Sequence, residues 1–98
     1  MNPIILEAYG DTISARLRAQ GMTHLQVVKR GQHLVIYADE PSGDQENRAR
    51  FSWLHGQTFA LGIADPGSGR WSPTGETGTV DALLTVLIEQ FGFILADW

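Results

Sequence analysis

A histidine held by a carboxylate is a common way to orient a general base, and the chain offers one such pair, His24 and Asp39. If Gly31-Gln32 forms a two-residue turn, the flanking strands set His24 opposite Asp39. The structural counterpart is a solvent-exposed cross-strand pair, and perturbed pairs are often structural. A small hydrolase using His24 and Asp39 is therefore the third of three functional readings. His33 and His55 flank expected turns, where polar residues are usual. No histidine stands three or four residues from another His, Asp or Glu on a helix, and the chain has no Cys, so no metal ligand is assigned.

Ser68 completes the residue types of a Ser-His-Asp set, but Gly67-Ser68-Gly69 lacks the strand-Gly-x-Ser-x-Gly-helix setting that exposes a nucleophile. A flexible turn accounts for it. Residues 66–79 read as a Gly-rich loop leading into a helix capped by Thr79, where free N–H groups and the helix dipole favour anions. Arg70 would supply one positive charge. Against this, the segment has neither Gly-Lys-Ser/Thr nor Gly-x-Gly-x-x-Gly, and Glu76 and Asp81 oppose an anion. A small-ligand or anion-binding domain using loop 66–79 is the second reading.

Arg70 and Trp71 are neighbours, and Trp and Arg dominate binding hot spots. Arg70, Trp71 and Thr79 are the residues singled out for interaction, whereas Trp98 is expected to fold back over the core edge. No catalytic or cofactor-binding residue is assigned and no cofactor is implied, because the polar residues do not cluster as an active site requires. The first reading is therefore a small non-enzymatic protein-interaction or regulatory module, homodimeric, using the Arg70-Trp71 loop and a sheet edge. No stretch carries the motif of a known family.

The 98 residues fit a single domain over 1–98, with 43% apolar and 18% charged residues, as in a folded globule. Net charge is −4; residues 51–98 hold five acids against Arg70 alone, so nucleic acid is not an expected partner. The start, Met1-Asn2-Pro3-Ile4-Ile5-Leu6-Glu7, lacks a basic region and a long apolar run, which argues against a signal peptide or membrane span. A soluble cytoplasmic protein is expected.

These residues must be positioned by an α+β fold. Asn2 as cap, Pro3 at the first turn and Leu6, Tyr9, Ile13 and Leu17 on one face predict a first helix ending at Gly21. Gly10-Asp11 marks a kink or the start of a second helix. Two β-hairpins follow, turning at Gly31-Gln32 and Gly56-Gln57 and separated by the exposed segment 40–47. In the second, a bulge is needed to align Trp53 with Phe59. Ala60, Gly62 and Ala64 form a strip of small side chains that permits close approach of a helix or backbone. A short edge strand around Trp71 would account for part of segment 66–78. Thr79 then caps an amphipathic helix from Val80 to Phe91, and Phe93-Ile94-Leu95-Ala96 is expected as a final strand. The order is α-β-β-β-β-α-β, with a largely antiparallel four- to five-stranded sheet and two helices on one face.

Overall fold

In the computed structural model, which describes residues 1–96, a 17-residue helix α1 (Pro3–Ala19) opens the chain. The Asn2 side chain accepts the Ile4 N–H at 2.8 Å, satisfying one of the donors that a helix start leaves unbonded. At the other end Gly21, with φ +77°, lets Met22 N–H reach the Leu17 carbonyl and its own N–H reach that of Arg18. That double closure is the usual glycine stop of a helix.

The helix runs unbroken through Gly10, where a kink or a second cap was expected. Gly10 is buried, and a Cβ there would stand 3.3 Å from Leu34 Cδ2 and 3.8 Å from Val27 Cγ1. A glycine costs a helix interior about 0.5–1 kcal/mol relative to alanine; here it brings the helix down onto the sheet.

Five strands follow: β1 (Leu25–Arg30), β2 (His33–Asp39), β3 (Gln45–His55), β4 (Thr58–Ala64) and β5 (Trp71–Gly78). All neighbours are antiparallel and spatial order equals chain order. The β1–β2 and β3–β4 hairpins each turn on a glycine with positive φ, Gly31 at 59° and Gly56 at 54°, the residue such tight turns ask for. Trp53 does pair with Phe59, and Leu54 is the extra residue between the Trp53 and His55 pairings that makes the alignment possible.

Two further irregularities re-aim side chains. Ile36 pairs with Ala49 and Tyr37 with Asn47, so Arg48 is skipped in the ladder. On β5, Thr74–Glu76 bulge out opposite Leu61, and the Thr74 hydroxyl donates to the Leu61 carbonyl at 2.8 Å.

Helix α2 (Val80–Gln90) is capped by the Thr79 side chain and buries Val80, Leu83, Leu84 and Leu87. With α1 it covers one face of the sheet, where Leu34, Ile36, Phe51, Phe59 and Leu61 form the centre of the core. Tyr9 packs edge-on against Phe59 at 5.3 Å between ring centres. Among the described residues no helix is long and apolar enough to cross a membrane.

The short edge strand expected around Trp71 is present as β5, the fifth strand; it occupies 71–78, which reduces the Gly-rich loop expected over 66–79 to the turn before it. One further expectation is corrected. The expected C-terminal strand is instead a helical turn, α3 (Gly92–Leu95). A strand sends neighbouring side chains to opposite faces, whereas Ile94 and Leu95 are adjacent and both fully buried; a helical turn packs both. Trp98, expected over the core edge, lies outside the described residues.

Candidate functional site

The core-facing residues of the sheet leave their neighbours on a second face that carries no helix among the described residues. The ladder aligns Val28, Val35, Arg50, Gly62 and Pro73 across all five strands. Beside that row run Arg30, His33, Ser52, Ala60 and Thr77. Tyr37 and Trp71 flank them, both half-buried.

Arg50 reaches across this face to Trp71. Its guanidinium carbon lies 4.7 Å from the ring centre, within reach of a cation–π contact. The path crosses Gly62, where a Cβ would meet Arg50 Cγ at 3.6 Å and Nε at 3.7 Å. At Gly62 the strip of small residues thus admits both an arginine side chain and a neighbouring backbone, the Ser72 carbonyl oxygen standing 3.5 Å from the same Cβ. Arg50, Ser52, Ala60, Gly62, Trp71 and Pro73 line a shallow cavity of about 230 Å³. Next to it, His33 Nδ1 and Ser52 Oγ are 2.7 Å apart. Burial, and then the Arg50 charge, hold the His33 imidazole below its ordinary pKa of 6.5, because both disfavour a second positive charge.

The residues singled out from the sequence are spread along β5. Trp71 stands at its start, on the uncovered face. Arg70, just before it, is exposed; its carbonyl accepts the Asp65 N–H at 2.8 Å and its own N–H donates to Ser68 Oγ at 3.3 Å. Thr79 follows the far end of the strand, and its hydroxyl oxygen accepts the Ala82 N–H at 3.2 Å. The length of β5 separates Arg70 from Thr79, so these two do not converge on one ligand. Ser68 donates to Asp65 Oδ2 at 2.9 Å inside the same turn.

His24 and Asp39 come to the same end of the first hairpin, as its register requires, but their side chains bond to different partners. His24 Nε2 donates to the Leu95 carbonyl at 2.7 Å, while Asp39 accepts from Gln26 at 3.3 Å. Both border a cleft of about 490 Å³ with Glu40, Glu46 and Arg48. Within it, a hydrogen bond with Glu40 and then burial raise the Glu46 carboxyl above its ordinary 4.5, against the opposing pull of Arg48. Among the described residues no group of three His, Asp or Glu side chains is placed to hold a metal ion.

Arg48 is the residue that sequence reasoning missed. The ladder irregularity turns it inward, leaving it 4% exposed. Its Nη1 donates to the carbonyls of Ile94 at 3.0 Å and Ala96 at 2.6 Å, and its Nε lies 3.4 Å from Glu46 Oε1. With His24 on Leu95, three successive carbonyls at the C-terminal turn have side-chain donors. The sequence carried no signal of it, because Arg48 keeps the polar phase of Arg50 and Ser52 opposite Ala49, Phe51 and Trp53, and its partners lie more than 40 residues away.

The chain matches no protein-family model, no curated protein and no solved structure.

Proposed function

We propose that this chain is a small, non-enzymatic protein-interaction or regulatory module that self-associates and presents the uncovered face of its sheet to a partner. The observation that carries the reading is the Arg50-Trp71 stack lying over Gly62 on that face. Trp, Tyr and Arg are the side chains that dominate interface energetics, and Trp71, Tyr37 and Arg50 are all on that face. Holding Arg50 on the Trp71 ring before a partner arrives removes part of the entropy cost of binding. Arg70 forms the rim of the same surface. A cytoplasmic setting is part of the proposal; a chain without cysteine is compatible with a reducing compartment.

Anion binding at segment 66–79 finds less support. The Thr79 hydroxyl is committed to its own helix, and the Asp81 carboxylate stands in that helix's first turn, paired with Arg16 at 3.1 Å.

Native mass spectrometry of the protein purified gently from its source tests the reading. The expected spectrum shows two copies of this chain together with a different partner chain; the partner is lost in a Trp71→Ala protein whose circular dichroism is unchanged, and is held more weakly in Arg70→Ala. A partner chain retained in Trp71→Ala removes the uncovered face from the reading. A single chain carrying a defined small mass would replace the reading with ligand binding.

A further inference from the structure

The two edges of the sheet are not alike. β5 is a poor template for another strand, since it contains Pro73, an outward excursion at Thr74–Glu76 and a Gly75 with φ +82°. β1 has no proline, glycine or bulge. The Arg30 and His33 pair closes a two-residue turn, so Arg30, Val28 and Gln26 spend their backbone hydrogen bonds on β2. By alternation the backbone groups of Leu25, Val27 and Lys29 point out of the sheet edge. The Leu25 N–H has a contact with the Met22 carbonyl at 3.4 Å.

Between this edge and α1 lies a groove of about 550 Å³. Its helical wall is the stripe Glu7, Asp11, Ser14 and Arg18, three or four residues apart and therefore on one side of the helix. The stripe is acidic toward its N-terminal end and basic at its C-terminal end. Run antiparallel to a copy of itself, with a two-fold axis midway between Thr12 and Ile13, it sets Glu7 against Arg18 of the second copy and Asp11 against that copy's Ser14.

The same axis suits the strand. α1 runs antiparallel to β1, and Gly10 sits over Val27, so a point between Thr12 and Ile13 falls near Gln26. A two-fold axis there opposes Leu25 to Val27 of the second copy and Val27 to its Leu25. These are residues whose backbone groups point outward, and a closed two-fold pairing of identical surfaces is the commonest form of oligomer.

We propose that the β1 edge and the α1 stripe form the surface where two copies of this chain join, through antiparallel β1 pairing that makes one continuous sheet. The inference rests on the self-association in the reading above and assigns it a location. The uncovered sheet face is left free for the partner.

Sedimentation equilibrium on the full chain, with amide hydrogen exchange measured over the same concentrations, tests it. The wild type is expected at twice the 10.8 kDa chain mass, and exchange at the Val27 amide slows as the dimer fills. Glu7 and Arg18 are both exposed, so charge changes there leave the core alone. Arg18→Glu places two like-charged pairs across the axis and weakens the dimer roughly tenfold. Adding Glu7→Arg to Arg18→Glu restores it. A dimer indifferent to Arg18→Glu, with Val27 exchange independent of concentration, overturns the β1 interface and leaves self-association standing. A wild type that stays monomeric across the range overturns both.

Discussion

Arg48 is buried with its Nη1 bonded to carbonyls and an opposite charge beside its Nε. A guanidinium taken out of water costs several kcal/mol, and here it bonds two carbonyls and faces Glu46. Arg48→Met keeps most of the stem volume but leaves the Ile94 and Ala96 carbonyls without that donor. The expected loss is about 3 kcal/mol, read as a lower urea midpoint at unchanged slope; a loss within error of zero would mean that water or another donor replaces the guanidinium. His33 gives a prediction in pH. Its folded pKa lies below 6.5, so the unfolded chain binds the proton more readily. The stability tied to His33 is complete above 6.5 and is lost as pH falls from there through the folded value. Urea midpoints of wild type and His33→Gln should therefore diverge in pH dependence just below 6.5, with the variant flatter. Parallel curves would show that the imidazole titrates alike in both states.

Among the elements, α1 was legible because cap, apolar stripe and the Gly21 stop agree, and α2 because its Thr79 cap and apolar stripe agree. The Trp53–Phe59 alignment was legible too, since hydrophobic pattern and turn length could be reconciled only with an added residue. β5 was only half visible. Trp-Ser-Pro-Thr-Gly-Glu-Thr-Gly has no alternation of apolar residues, and its strand form comes from pairing with β4. α3 was misread because Phe-Ile-Leu-Ala is equally a buried strand and a buried helical turn. The donors on its carbonyls, Arg48 and His24, are remote in sequence. Gly10 was seen as a weak point of the helix when it is a point of contact. Gly10→Val should destabilise by about 2 kcal/mol, because the neighbour it would press is Leu34, itself 1% exposed. Equal thermal midpoints for the two proteins would mean that helix and sheet separate without cost.

At the scale of the molecule, the α+β class followed from periodicity, but which surface matters did not. Sequence pattern placed emphasis on Arg70, Trp71 and Thr79 as one loop, and the structure distributes them along a strand. The Arg50-Trp71 stack needs strands β3, β4 and β5 to be side by side with a glycine between, a relation that no local window contains. A sheet edge was expected as the self-association surface, but which edge was illegible for the same reason: it depends on β5 being interrupted and β1 being uninterrupted, and on which backbone groups β2 has already taken.

Strand order that copies chain order also has a bearing on time. Each ladder closes a short loop, so little entropy is lost before the next pairing is rewarded, and such topologies fold quickly for their size. The clasp of Arg48 on Ile94 and Ala96 spans 46 and 48 residues and has reason to close late. A contact made after the barrier slows escape from the native state without hastening arrival. Arg48 would then act as a latch on lifetime: in a chevron plot, Arg48→Met lifts the unfolding limb and leaves the refolding limb where it was.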